Sequence, residues 1–171
     1  MSQFLWNATQ DYDNLLVVIS GFDGMHDLQF EAAPAAAADF RRGALVSLNA
    51  SGEFVAGLSG LTAMPLWAIN DTADLDVVSD AGNTAGGVVS AYPATGGYEL
   101  ATTEFDAAGT YAPNTLLTED TVTAGFVVDA AATNYNDLPV VGCVSVGVRT
   151  EVYGQTVLQF WPMFIPAVDL T

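Results

Sequence analysis

The chain has 171 residues, and its 20 acidic side chains against 3 basic ones give a formal charge of -17; nucleic acid and anionic membrane are both bound by clustered cations, so neither is expected as a partner. The single cysteine and single histidine exclude an intrachain disulfide and a four-ligand zinc site, and a chain without lysine cannot form the G-K-[ST] phosphate loop. Charged residues make up 13% of the chain and apolar ones 51%, against about 25% charged in ordinary soluble domains, so part of the surface is expected to be covered by partner subunits.

The opening MSQFLWNATQDYDN has neither a basic n-region nor a long apolar core. No signal peptide is expected, and synthesis is placed in the cytoplasm. Residues 1–12 read as an N-terminal arm. Asn14 to Ser20 (NLLVVIS) reads as a buried strand, and His26 falls in a following loop. Ala32 to Phe40 is rich in alanine, yet Pro34 allows only a short turn there. Gly43 to Leu48 and Glu53 to Ala56 flank Asn49-Ala50-Ser51-Gly52, a good hairpin turn, and Pro65 to Asn70 is a short strand.

Leu75 to Asn83 reads as loop. Gly87 to Tyr92 and Tyr98 to Glu104 form a hairpin across Pro93–Gly97; neither face of the second strand is cleanly apolar, which predicts an edge or an interface. Ala124 to Asp129 is a further strand, Thr133 to Asp137 a loop. Val140 to Thr150 and Gln155 to Ile165 pair as a long hairpin across Glu151–Gly154, with Cys143 as a buried small hydrophobe. The apolar stretch VLQFWPMFIPAVDL is interrupted by Gln159, Pro162 and Pro166 and is too short to span a bilayer.

The fold class is therefore all-β, a compact β-barrel or β-sandwich with long loops and little helix. Residues 13–171 form a single β domain, or two β modules of about 13–85 and 86–171. A loose echo between RRGALVSLNASGEFVAG and PNTLLTEDTVTAGFVVD marks either two related modules or coincidence.

Reagents for chemistry are sparse. A serine hydrolase would have to use His26 as its base, and Gly57-Leu58-Ser59-Gly60 lacks the nucleophile-elbow spacing. Oxygen ligands for calcium could come from Asp11 and Asp13, from Asp71, Asp74 and Asp76, or from Asn134, Asn136 and Asp137. None of these sets follows the twelve-residue calcium loop. Carboxylate pairs say nothing about glycosidase chemistry where acids are this common, and the Asn-x-Ser/Thr triplets at Asn7, Asn49 and Asn70 read as chance. The expectation is a non-enzyme without cofactor or metal.

Two aromatic segments stand out: Phe4-Leu5-Trp6 in the arm, and Phe160, Trp161, Met163 and Phe164 around Pro162. Large aromatics and methionine are enriched in the buried centres of protein interfaces, so these seven residues are the candidate contacts, with a core strand as the alternative reading of the second segment.

Several runs carry a resemblance: GYELATTEF, TYAPNTLLT, VVGCVSVGV and the closing FWPMFIP, together with RRGALVSLNASGEFVAG. In these the greater part of the chain resembles the capsid decoration (cement) proteins of tailed bacteriophages and related head proteins. That resemblance implies a β-tulip or β-clip-like fold and a homotrimer on the outer capsid surface of the virion, where it clamps neighbouring major capsid protein subunits. The shared motifs are structural and bring no catalytic residues with them. The alternative is another virion component (tail, fibre or head-closure protein) with a receptor- or glycan-binding face, and a third reading is a β-sandwich enzyme or calcium-dependent binding module.

Overall fold

The computed structural model describes residues 16–20, 30–36, 38–70, 72, 88–94, 97–130, 138–152 and 155–167. Among these residues eleven strands run in chain order: β1 (Leu16–Ser20), β2 (Phe30–Ala32), β3 (Leu45–Leu48), β4 (Phe54–Ala56), β5 (Leu66–Ala68), β6 (Val89–Pro93), β7 (Glu99–Thr102), β8 (Leu116–Glu119), β9 (Val127–Asp129), β10 (Val140–Val152) and β11 (Gln155–Ile165). They form two antiparallel sheets, a six-stranded one in the order β1-β7-β11-β10-β8-β9 and a five-stranded one in the order β2-β6-β5-β3-β4. Short β-branched and aromatic runs cut by Gly, Asn and Pro give this result. The fold is all-β as expected, and a sandwich of open sheets rather than a closed barrel.

The two strand orders are one order written twice. If β2 to β6 are set against β7 to β11, the sequence β2-β6-β5-β3-β4 becomes β7-β11-β10-β8-β9, and β1 is a single addition at the β7 edge. Registers repeat as well. Leu45 pairs Trp67, which pairs Tyr92; Leu116 pairs Cys143, which pairs Trp161. Small details follow the same correspondence. A parallel bridge joins Pro34 to Phe54 at the outer side of β4, and Phe105 to Val127 at the outer side of β9. An i to i+3 turn closes with Ala38 N–H donating to Ala35 O at 2.9 Å, and again with Gly109 N–H donating to Asp106 O at 3.1 Å.

The hairpin loops match too. Asn49 N–H donates to Glu53 O and Asp120 N–H to Phe126 O, both at 2.9 Å. Asn49 Oδ1 accepts from Ser51 N–H at 2.8 Å and Asp120 Oδ1 from Val122 N–H at 2.9 Å. Just before β3 and β8 the backbone turns left-handed at Gly43 (φ 87°) and at Asn114 (φ 70°), the two residue types that tolerate that conformation best. The echo in the sequence is thus a structural repeat of a five-stranded module. Its boundary falls between Pro93 and Glu99, not near 85.

That boundary corrects one hairpin. Gly87 to Tyr92 and Tyr98 to Glu104 do not pair, because β6 belongs to the five-stranded sheet and β7 to the other. The chain crosses between sheets here, and Tyr98 Oη donates to Pro93 O across the crossing. β7 is interior, between β1 and β11, and Leu100, Ala101 and Thr102 are fully buried. Its polar groups are used: Thr102 Oγ1 donates to Gly43 O at 2.8 Å. β1, read as buried, is an edge strand whose Ile19 is exposed. Ala32 to Phe40 contains the end of β2 and a turn, as Pro34 requires.

The modules stack front to back. Directly opposed residues project from one face of a sheet, so Phe30, Ala91 and Ala68 correspond to Leu100, Phe160 and Val144. In the second module this face lies in the core between the sheets, where it meets Leu45, Trp67 and Tyr92 of the first module. In the first module it points the other way, and Ala91, Ala68, Val46, Leu66 and Val89 pack with Phe40 in a second core. The central contact is Trp67 on Phe160, with ring centroids 4.6 Å apart and tilted by 51°. Trp67 Nε1 is buried there with no hydrogen-bond partner among the described residues.

Hydrogen bonds tie the hairpins of the two modules together. Leu45 N–H donates to Gly125 O at 2.7 Å, and Leu58 N–H donates to the Glu119 carboxylate at 3.1 Å. Burial pushes the Glu119 carboxyl up and Asp120 adds to the rise, while the Leu58 amide opposes it. A carboxyl raised in the folded state binds its proton more tightly there than in the unfolded chain. Its contribution to stability is present below the ordinary carboxylate range and is lost as pH rises through the raised value.

Two predictions follow from these joints. Urea titrations at acidic and neutral pH should show Glu119→Gln gaining stability over the parent at neutral pH, with less loss between the two. Gly52 and Gly125 occupy corresponding loop positions with φ of 78° and 86°; an added Cβ meets nothing at Gly52 but comes within 3.3 Å of Ala44 Cβ and Leu45 O at Gly125. Gly52→Ala should cost about 1 kcal/mol from the left-handed backbone alone, and Gly125→Ala about 2 to 3 kcal/mol once the crowding is added, as read from denaturant midpoints.

Candidate interaction surface

β10 and β11 are long strands of 13 and 11 residues, yet β8 pairs only with Gly142 and Cys143, and β7 only with Leu158 to Phe160. Beyond these pairs β10 and β11 continue to pair with each other, from Val140 opposite Ile165 to Val152 opposite Gln155. Strand alternation then sorts the aromatic segment. Phe160 faces inward and is fully buried against Trp67, whereas Trp161, one residue on, faces outward and is 45% exposed. Pro162 is buried, Met163 and Phe164 are half-buried, and Ile165 is exposed.

Phe160 is therefore not a contact residue, because the period of two places it in the core. Trp161, Met163 and Phe164 remain accessible. The arm residues Phe4, Leu5 and Trp6 lie outside the described residues, as do His26, Asn7 and the three acidic sets considered for calcium. Among the described residues no group of three or more His, Cys, Asp or Glu could hold a metal, and no helix is long and apolar enough to cross a membrane.

Register adds residues that the sequence reading missed. Leu116, Cys143 and Trp161 sit directly opposite one another on β8, β10 and β11, a row on the outer face of the six-stranded sheet. Leu116 and Cys143 are half-buried, which corrects Cys143 as a buried hydrophobe. Partial burial still raises its thiol above the ordinary range, so it is a poor nucleophile. Next to the row, Ser145 Oγ donates to Glu99 Oε1, which gives the apolar strip a polar, acidic margin. Val146 and Val148 on β10 are exposed as well.

The row corresponds to Leu45, Trp67 and Tyr92 in the first module, the surface on which the second module packs. On the second module the corresponding row is left on the outer face, with Trp161 exposed. Asn49 and Asn70 are engaged in the backbone, the first in its hairpin turn and the second accepting from Ser90 N–H at 3.2 Å.

No known protein family matches this chain, and no curated protein or solved structure does either.

The inward and outward assignments can be separated by paired truncations. Phe160→Ala should lower stability by about 3 to 5 kcal/mol, the usual cost of emptying an aromatic core site. Trp161→Ala should cost less than about 1.5 kcal/mol, and equilibrium denaturation of the two variants distinguishes them.

Proposed function

We propose that this chain is a non-catalytic structural protein of a tailed-phage virion, which binds the outer surface of the head and stabilises it by bridging major capsid protein subunits. The observation that carries the reading is Trp161, an aromatic side chain held 45% exposed on a rigid sheet in a row with Leu116 and Cys143. A preformed apolar row with little side-chain freedom to lose is what a high-occupancy docking surface needs. The net charge of -17 supports a partner with a basic rim and disfavours contact with the packaged nucleic acid. The resemblance in GYELATTEF, TYAPNTLLT, VVGCVSVGV and FWPMFIP supports the same reading, and with it a homotrimer.

The mechanism is mass action. A protein that binds the closed, expanded shell and not its subunits shifts the equilibrium toward that shell by its own binding free energy. Apolar area at Trp161 supplies affinity, and the acidic margin supplies orientation.

Purified protein added to undecorated expanded heads should bind to saturation and raise their disruption temperature. Trp161→Ala should weaken binding at least tenfold with the fold retained, and removal of residues 1–12 should weaken it further. Equal occupancy by the parent and the Trp161→Ala variant would end this assignment.

A further inference from the structure

The repeat gives the two modules corresponding edges, and one of them is filled. In the second module β1 pairs with β7, Leu16 opposite Thr102, Val17 opposite Ala101 and Val18 opposite Leu100. The corresponding edge in the first module is β2, where Phe30, Glu31 and Ala32 pair with β6 through Ala91, Ser90 and Val89. β2 ends the five-stranded sheet, and among the described residues no strand lies on its outer side. Phe30 is 39% exposed and Glu31 is exposed too. By comparison, the far edges of both modules are protected by the bridges at Phe54 and Val127.

We propose that the outer edge of β2 is an acceptor for an extended segment of a partner protein, added antiparallel as β1 is added to β7. The chain has one β1 and two such edges, so β1 strands exchanged between copies cannot fill both. A second copy presenting its own β2 is disfavoured by charge, because the register that pairs all three residues sets Glu31 directly opposite Glu31, and like charges so placed are destabilising.

Residue chemistry along the edge defines the segment. Phe30, Glu31 and Ala32 stand where the filled edge has Leu100, Ala101 and Thr102. The incoming residues opposite Phe30 and Ala32 are therefore apolar, like Val18 and Leu16. Opposite Glu31 the residue is cationic, where β1 has Val17 opposite an alanine. Read from its N-terminus, the segment is apolar–Lys/Arg–apolar. A chain with no lysine and a charge of -17 draws such a segment electrostatically, and main-chain bonding to a sheet edge supplies the rest. This edge is distinct from the Trp161 row and does not depend on the partner being a shell subunit.

The test uses the full-length protein and two fluorescein-labelled peptides of about ten residues, with Leu-Lys-Val or Leu-Glu-Val at the centre between threonines and serines. Anisotropy titrations should show saturable one-to-one binding of the lysine peptide, about tenfold tighter than the glutamate peptide, the difference expected for opposite against like charges at one cross-strand site. Glu31→Lys, a surface change that leaves the fold intact by circular dichroism, should reverse the preference. The proposal is overturned if the lysine peptide does not bind, if both peptides bind alike, or if Glu31→Lys leaves the preference unchanged. Protection of the Phe30–Ala32 amides from hydrogen exchange that rises with protein concentration alone would assign the edge to a second copy, and would overturn it as well.

Discussion

The stacking of Phe160 on Trp67 fixes which way each sheet faces. Phe160 belongs to the face that the first module turns toward Phe40 and the second turns toward the first. Trp67 belongs to the opposite face. Once these rings are in contact, the sheets can only follow one another in the same sense. The row Leu45-Trp67-Tyr92 is consumed as an internal interface, while Leu116-Cys143-Trp161 is left outside. Among the described residues the buried Trp67 indole N–H has no acceptor, an arrangement that costs about 1 to 3 kcal/mol and that aromatic packing against Phe160 offsets.

Charge and apolarity act on different scales in this molecule. On the proposed function, the acidic side chains would give a long-range field that sorts partners before contact, whereas affinity would come from a few apolar positions held in place by the sheets. The register of β8, β10 and β11 sets Leu116, Cys143 and Trp161 opposite one another. On the proposed function this combination is useful, since mutual repulsion keeps the protein from aggregating before it docks.

Much of the fold is legible in the residues. The hairpin at Asn49–Gly52, the long pair Val140–Thr150 and Gln155–Ile165, and the turn at Pro34 follow from turn chemistry and alternation, which are local. The relation of β6 to β7 was not legible: a glycine-rich turn between two strands looks the same whether the chain folds back within one sheet or passes to another. The segment Tyr98–Glu104 misled for a related reason: Thr102 and Glu104 are buried, and the bond from Thr102 Oγ1 to Gly43 O that satisfies the hydroxyl is not visible in the strand's own pattern. In the candidate surface, the aromatic cluster falls on β11, but only the register separates Phe160 from Trp161 and brings in Leu116 and Cys143. β2 left little trace in the sequence, being three residues long. The echo held the missing information, since extending it upstream from Arg41 and Ala112 leads to Pro34 and Phe105 and then to β2 and β7.

Two like modules related by a dyad would give a body with identical ends. Here they follow one another in a single direction, so the molecule has a top and a bottom of different make: the outer face of the first module packs with Phe40, and that of the second carries the Leu116-Cys143-Trp161 row. On the proposed function, in which the Trp161 row meets the shell, such a body would be seated in only one sense. A layer of many copies would therefore show a single uniform exterior, whatever the order in which the copies arrived.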